Sequence, residues 1–122
     1  LWPSDYGINF YADVLFTTDE YIAENAEVVQ RFIDATLQGW NKAIENPALG
    51  TQHTLSFDET LDYNTQLAAL NASIPLIDVG YVGIGYMEPT VWQEMMDLMI
   101  EQGILDISFD VTTVYTNEFV SE

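Results

Sequence analysis

Around residues 10–16 one parity carries Phe10, Ala12, Val14 and Phe16, and the other carries Tyr11, Asp13, Leu15 and Thr17. In a β-conformation both faces of this run are largely apolar, and strands buried on both faces lie inside sheets covered by helices. No later stretch matches it in strength. The expectation is therefore an α/β chain, itself mostly helical, with one main strand near the N-terminus over residues 10–16. A strand without a visible partner further reads as belonging to the later part of a larger α/β protein.

The rest of the chain carries helical punctuation. Thr17, Thr18 and Asp19 supply capping oxygens for a first helical region, with a restart at Asn25. Val28, Val29, Phe32, Ile33, Leu37, Trp40, Ala43 and Ile44 then recur at three- and four-residue spacing, predicting a helix over residues 26–45. Glu27 stands one turn before Arg31, in the order that suits an ion pair, and Asn46-Pro47 stops the run. The pattern between Ala48 and Asp58 is weak, with Gly50 and His53 interrupting what would be a short helix. Further helices are expected over residues 61–73, ended by Pro75, and 90–102, started by Pro89 and closed by Gly103. Residues 78–86 hold three glycines and read as a loop, and the tail after Asp106 as one short helical turn with extended ends.

Arg31 and Lys42 are the only basic side chains against 20 carboxylates, a formal net charge of −18. Nucleic acid is excluded as a partner, because such binding needs Lys and Arg to displace counterions from phosphates; anionic lipid is disfavoured for the same reason. The acids read as a solvated surface suited to a saline exterior, with weak cation binding around Asp19, Glu20, Glu24 and Glu27 as the other reading. There is no cysteine, hence no disulfide framework, thiol nucleophile or thiolate metal site.

Catalytic signals are missing. The glycines at 80, 83 and 85 lack the Lys-Ser or Lys-Thr pair of a phosphate cradle. Asp58, Glu59 and Asp62 lack the alternating ligands and central glycine of an EF-hand, and His53 is the sole imidazole. No catalytic, metal or cofactor residue is singled out. Trp40 and Trp92 sit in helical core periodicity and read as packing residues. Tyr6, Asn9 and Tyr11 differ: they surround Gly7 and combine π surface or amide with hydrogen-bonding tips.

Three pieces in order resemble one known group: residues 5–18 (Asp-Tyr-Gly-Ile-Asn-Phe-Tyr-Ala-Asp-Val-Leu-Phe-Thr-Thr), residues 29–47 from Val29-Gln30-Arg31-Phe32 through Gly39-Trp40 to Glu45-Asn46-Pro47, and residues 101–119 from Glu101-Gln102-Gly103 to Tyr115-Thr116-Asn117-Glu118-Phe119. The likeness is to the carboxy-terminal part of thiamine-pyrimidine-precursor-type solute-binding proteins of ABC transporters, which include riboflavin-type branches and share the type 2 periplasmic-binding fold. It implies a single segment, with residues 1–18 as crossover strand and hinge region and residues 19–122 as the helical part of the first lobe.

The same resemblance implies a non-catalytic, extracytoplasmic receptor, its anchor upstream, that hands a flat heteroaromatic to an ABC permease. Its ligand contacts would be Tyr6, Asn9, Phe10 and Tyr11, with no cofactor. Self-association is expected of the isolated piece. One alternative is an enzyme of the same fold that makes the thiamine pyrimidine, which needs pyridoxal phosphate and iron ligands for which this chain offers little beyond Lys42 and His53. The other is a helical protein-interaction domain.

Overall fold

The computed structural model describes residues 3–120. Four helices carry the architecture: α1 (Asp19–Glu45), α2 (Pro47–Phe57), α3 (Tyr63–Ile77) and α4 (Pro89–Glu101). Single 3-10 turns flank them at Pro3–Tyr6 and Val111–Thr113.

The expected strand is not formed. Residues 8–18 run without helix or ladder, and no strand occurs among the described residues. Apolar parity reports a tendency to be buried, but a strand exists only where a second chain segment accepts its backbone hydrogen bonds. Among the described residues no such segment lies alongside. Leu15 and Phe16 accordingly remain 60% and 93% exposed, so the α/β expectation gives way to a helical chain.

Helix α1 starts where its cap is strongest, with Thr18 Oγ1 accepting from the amide of Tyr21 at 3.1 Å. It kinks at Asn25 (φ −136°, ψ 32°), the site of the expected restart, where the side-chain amide turns back to the carbonyl of Tyr21. Arg31 donates through Nε to the carbonyl of Glu27 at 3.3 Å rather than to its carboxylate. Asn46 serves two helices: its N–H closes α1 on the carbonyl of Lys42, and its Oδ1 accepts from Leu49 N to cap α2. Pro47 follows at the first helical position, where a missing amide costs nothing.

Helices α1, α2 and α3 pack in sequence. At the α1–α2 crossing a Cβ on Gly50 would stand 3.1 Å from Ala43 Cβ and 3.2 Å from Ala43 Cα. Because the second of these is backbone, Gly50→Val should force α2 off α1 and destabilise by about 1–3 kcal/mol. A thermal melt unchanged or raised by this substitution would show that the crossing is loose.

Asp62 caps α3 through Thr65 N at 2.8 Å, and the helix runs through Pro75 to Ile77 instead of ending before it. Pro75 sits in the last turn, where only one ladder bond is forfeited. Asp58, Asp62 and Asp110 each accept both the amide and the hydroxyl of a following threonine. These bonds, the hydroxyl contribution first, hold their carboxyls below the ordinary aspartate range. What they contribute is present above the unfolded value and is lost as pH falls through the lowered folded one.

Helix α4 closes as the glycine signal requires. Gly103 adopts φ 70°, its N–H bonds Ile100 O, and Ile104 N reaches back to Met99 O at 2.8 Å. Beyond it the chain returns over α4 through the Val111–Thr113 turn. Val91, Met96, Val111 and Phe119 form the buried apolar core among the described residues. Gln30 of α1 donates to the carbonyl of Phe119 at 3.1 Å, tying the first helix to the C-terminal segment.

Candidate functional site

Residues far apart in sequence converge at the start of α4. Met87 has both backbone groups taken by one side chain: its N–H donates to Asn117 Oδ1 at 2.9 Å, and its carbonyl accepts from Asn117 Nδ2 at 2.8 Å. Glu88, the cap residue of α4, donates its N–H to the phenol oxygen of Tyr11 at 2.7 Å. Its carboxylate accepts from Tyr81 at 3.1 Å, and its carbonyl accepts from Val91 and Trp92. The non-helical N-terminal segment, the glycine loop, α4 and the C-terminal segment thus meet at two consecutive residues.

An aromatic stack backs this junction. The Trp92 and Tyr115 rings lie parallel within 5° at a centroid distance of 5.6 Å, and the Tyr11 ring lies 5.8 Å from Trp92, tilted by 49°. Such pairs contribute about 0.5–1.5 kcal/mol beyond the area they bury. The indole N–H of Trp92 is buried without an acceptor. Burial raises the Tyr11 phenol above its ordinary pKa, and the charge of Glu88 and the neighbouring Tyr115 add to the rise while the Glu88 amide opposes it. Tyr81, hydrogen-bonded to the same carboxylate, is also raised.

Of the four residues singled out from the sequence, the structure brings only Tyr11 into this junction. Tyr6 ends the first 3-10 turn and is 66% exposed, Asn9 is exposed, and Phe10 is 41% exposed. Gly7 between them takes φ 74° with open space around it, while Ile8 N closes the turn on Pro3 O. The result is a short stretch presenting two rings and an amide to solvent, followed immediately by an anchored tyrosine. Trp92 packs as expected. Trp40 does so only in part, being 40% exposed.

Glu88, Trp92 and Tyr115 were not legible as partners of Tyr11, nor Asn117 as the partner of Met87. The one local signal was Pro89, which marks the helix start at which they gather. No group of three or more His, Cys, Asp or Glu residues that could hold a metal ion occurs among the described residues.

Two recesses among the described residues are too small to be ligand chambers. One of about 220 Å³ lies between α1, α2 and α3 and is lined in part by Thr51, which is 2% exposed with its hydroxyl unpartnered. The other, of about 270 Å³, lies between α1 and Phe119. Both fall below the roughly 300–1,000 Å³ of sites that enclose drug-sized ligands.

Comparison with known proteins agrees with the resemblance read from the sequence. A family described as NMT1/THI5 like matches residues 1–49, the part that holds Tyr6, Asn9, Phe10, Tyr11 and the whole of α1. The chain is also 29% identical over 118 residues to the riboflavin-binding protein RibY of Chloroflexus aurantiacus, covering 92% of this chain and 34% of that protein. The chain thus spans about a third of the length of the curated relative it matches. That relative is, by its name, a binding protein. No helix among the described residues is long and apolar enough to cross a membrane.

Proposed function

We propose that this chain supplies one wall of the binding cleft in the solute receptor of an ABC importer, acting outside the cytoplasm on a small flat heteroaromatic such as riboflavin or a thiamine pyrimidine precursor. The observation that carries the reading is the stretch Tyr6–Phe10: two exposed rings and an amide on either side of Gly7, within the region similar to the NMT1/THI5-like family. Exposed rings offer a stacking surface for a planar ligand, and the Asn9 amide offers both a donor and an acceptor to fix its orientation. Residues 1–18 would act as crossover and hinge, residues 19–122 as the helical body of a lobe, and closure of the cleft would signal occupancy to a permease.

Charge narrows the ligand. A net charge of −18 repels polyphosphates, so neutral or cationic heterocycles suit this surface better. Riboflavin titrated against this chain joined to the other wall of its cleft should lose fluorescence on binding, since stacked flavins are quenched by neighbouring rings. Tyr6→Ala and Asn9→Ala should each weaken the response about tenfold, the scale of one stacking contact or one well-placed hydrogen bond. Variants that bind as the parent does would remove these two residues from the site.

A further inference from the structure

Tyr11 carries a hydrogen-bonding tip and an aromatic ring like those of Tyr6, yet both are already engaged within the chain. The phenol oxygen accepts from Glu88 N at 2.7 Å, across 77 residues of sequence. The ring is half-buried against Trp92, itself stacked on Tyr115. Glu88 cannot drift, because Met87 before it is held at both backbone groups by Asn117 and Pro89 after it opens α4. Residues 6–10 therefore end at a fixed point. Within this stretch the chain closes back on the Pro3–Tyr6 turn through Ile8 N to Pro3 O at 3.1 Å.

We infer that Tyr11 is a positioning residue: its phenol, seated on the Glu88 amide, holds the stretch carrying Tyr6, Asn9 and Phe10 at a set place and angle on the helical body, and it does not itself contact ligand. The consequence for ligand binding rests on the receptor reading above; the anchoring does not. A ligand-facing stretch tied at its end loses less conformational freedom on binding than a loose one, which raises affinity without adding a contact. The phenol suits this role because, once its oxygen accepts the Glu88 amide, no side chain need follow the loop into the cleft.

Tyr11→Phe separates the two roles, since it keeps the ring against Trp92 and deletes only the hydroxyl. Because the chain has no cysteine, Ile8→Cys admits one nitroxide probe beside the ligand-facing residues. Exchange of the Glu88 amide, followed by NMR, reports the anchor itself, and tryptophan emission confirms that the Trp92 stack is intact. The expected result for Tyr11→Phe is Glu88 exchange faster by about fivefold, the scale of one lost hydrogen bond. The probe at residue 8 should become more mobile, and riboflavin should bind more weakly by a similar factor.

Thr60→Val, which removes only a hydroxyl bond to Asp58 in the turn between α2 and α3, should leave probe mobility and riboflavin affinity unchanged. If Tyr11→Phe leaves the probe as immobile as before, the anchor is overturned whatever the ligand proves to be. If mobility rises but riboflavin affinity holds, the positioning role is overturned and the anchor is merely structural. If mobility rises while the parent binds no flavin, the receptor reading falls and the anchoring stands.

Discussion

Raising sodium chloride from about 10 mM to about 1 M should raise the melting temperature of this chain by on the order of 10–20 °C, as the Debye length contracts from roughly 30 Å to 3 Å. The cause is written in the composition: 20 carboxylates against 2 basic side chains. Folding gathers these charges into a smaller volume, so their mutual repulsion is larger in the native state than in the expanded one. For 18 net charges the difference amounts to several kcal/mol at low ionic strength and largely vanishes at high. The Thr-bonded carboxylates Asp58, Asp62 and Asp110 relieve little of this, being fully exposed. A melting midpoint that stays flat or falls across this range would mean that the acids are compensated by something other than mobile counterions.

Once salt has screened that repulsion, the isolated 122 residues should associate into dimers or larger species. The accessible surface is 9128 Å², against about 6,600 Å² for a self-contained monomer of this mass. The excess of roughly 2,500 Å² exceeds the ~800 Å² per partner that a standard stable interface buries. Large exposed apolar side chains are spread over it, among them Leu15 and Phe16 of the N-terminal segment, Phe32 of α1, Phe57 at the end of α2 and Ile107 after α4. Removing one such phenylalanine from water is worth about 1.5–3 kcal/mol. Sedimentation in 1 M salt should therefore show a mass of at least two chains, and the double change Leu15→Asp with Phe16→Asp should lower it. A compact monomer under these conditions would show that the apolar surface is not adhesive.

The helices were legible to the extent that their amphipathic stripes were. The period from Val28 to Ile44 fixed the body of α1, and the hydroxyl cap and Asn25 restart located its beginning and its kink. Helix α2 was faint because Pro47–Phe57 carries no clear polar face; it exists through Asn46, which caps it, and Gly50, which lets it approach Ala43. The run over residues 10–16 misled for a physical reason. Its alternating apolar side chains record a demand for burial on two faces, and burial can be demanded of a segment that has no ladder partner. The candidate site divides the same way. Tyr6, Asn9 and Tyr11 could be picked out by side-chain chemistry, but the pairing of Tyr11 with Glu88 is a contact 77 residues distant that no local period encodes.

The central claim is that this chain helps hold a flat heteroaromatic and releases it unchanged. Equilibrium dialysis of riboflavin, and separately of an aminopyrimidine, against this chain joined to the other wall of its cleft, in molar salt, tests it most directly, with the retained ligand recovered and its mass measured. The expected result is saturable retention of at least one of the two at one ligand per chain, with its mass unaltered. Retention of neither by folded protein, or recovery of a chemically altered ligand, would contradict the claim.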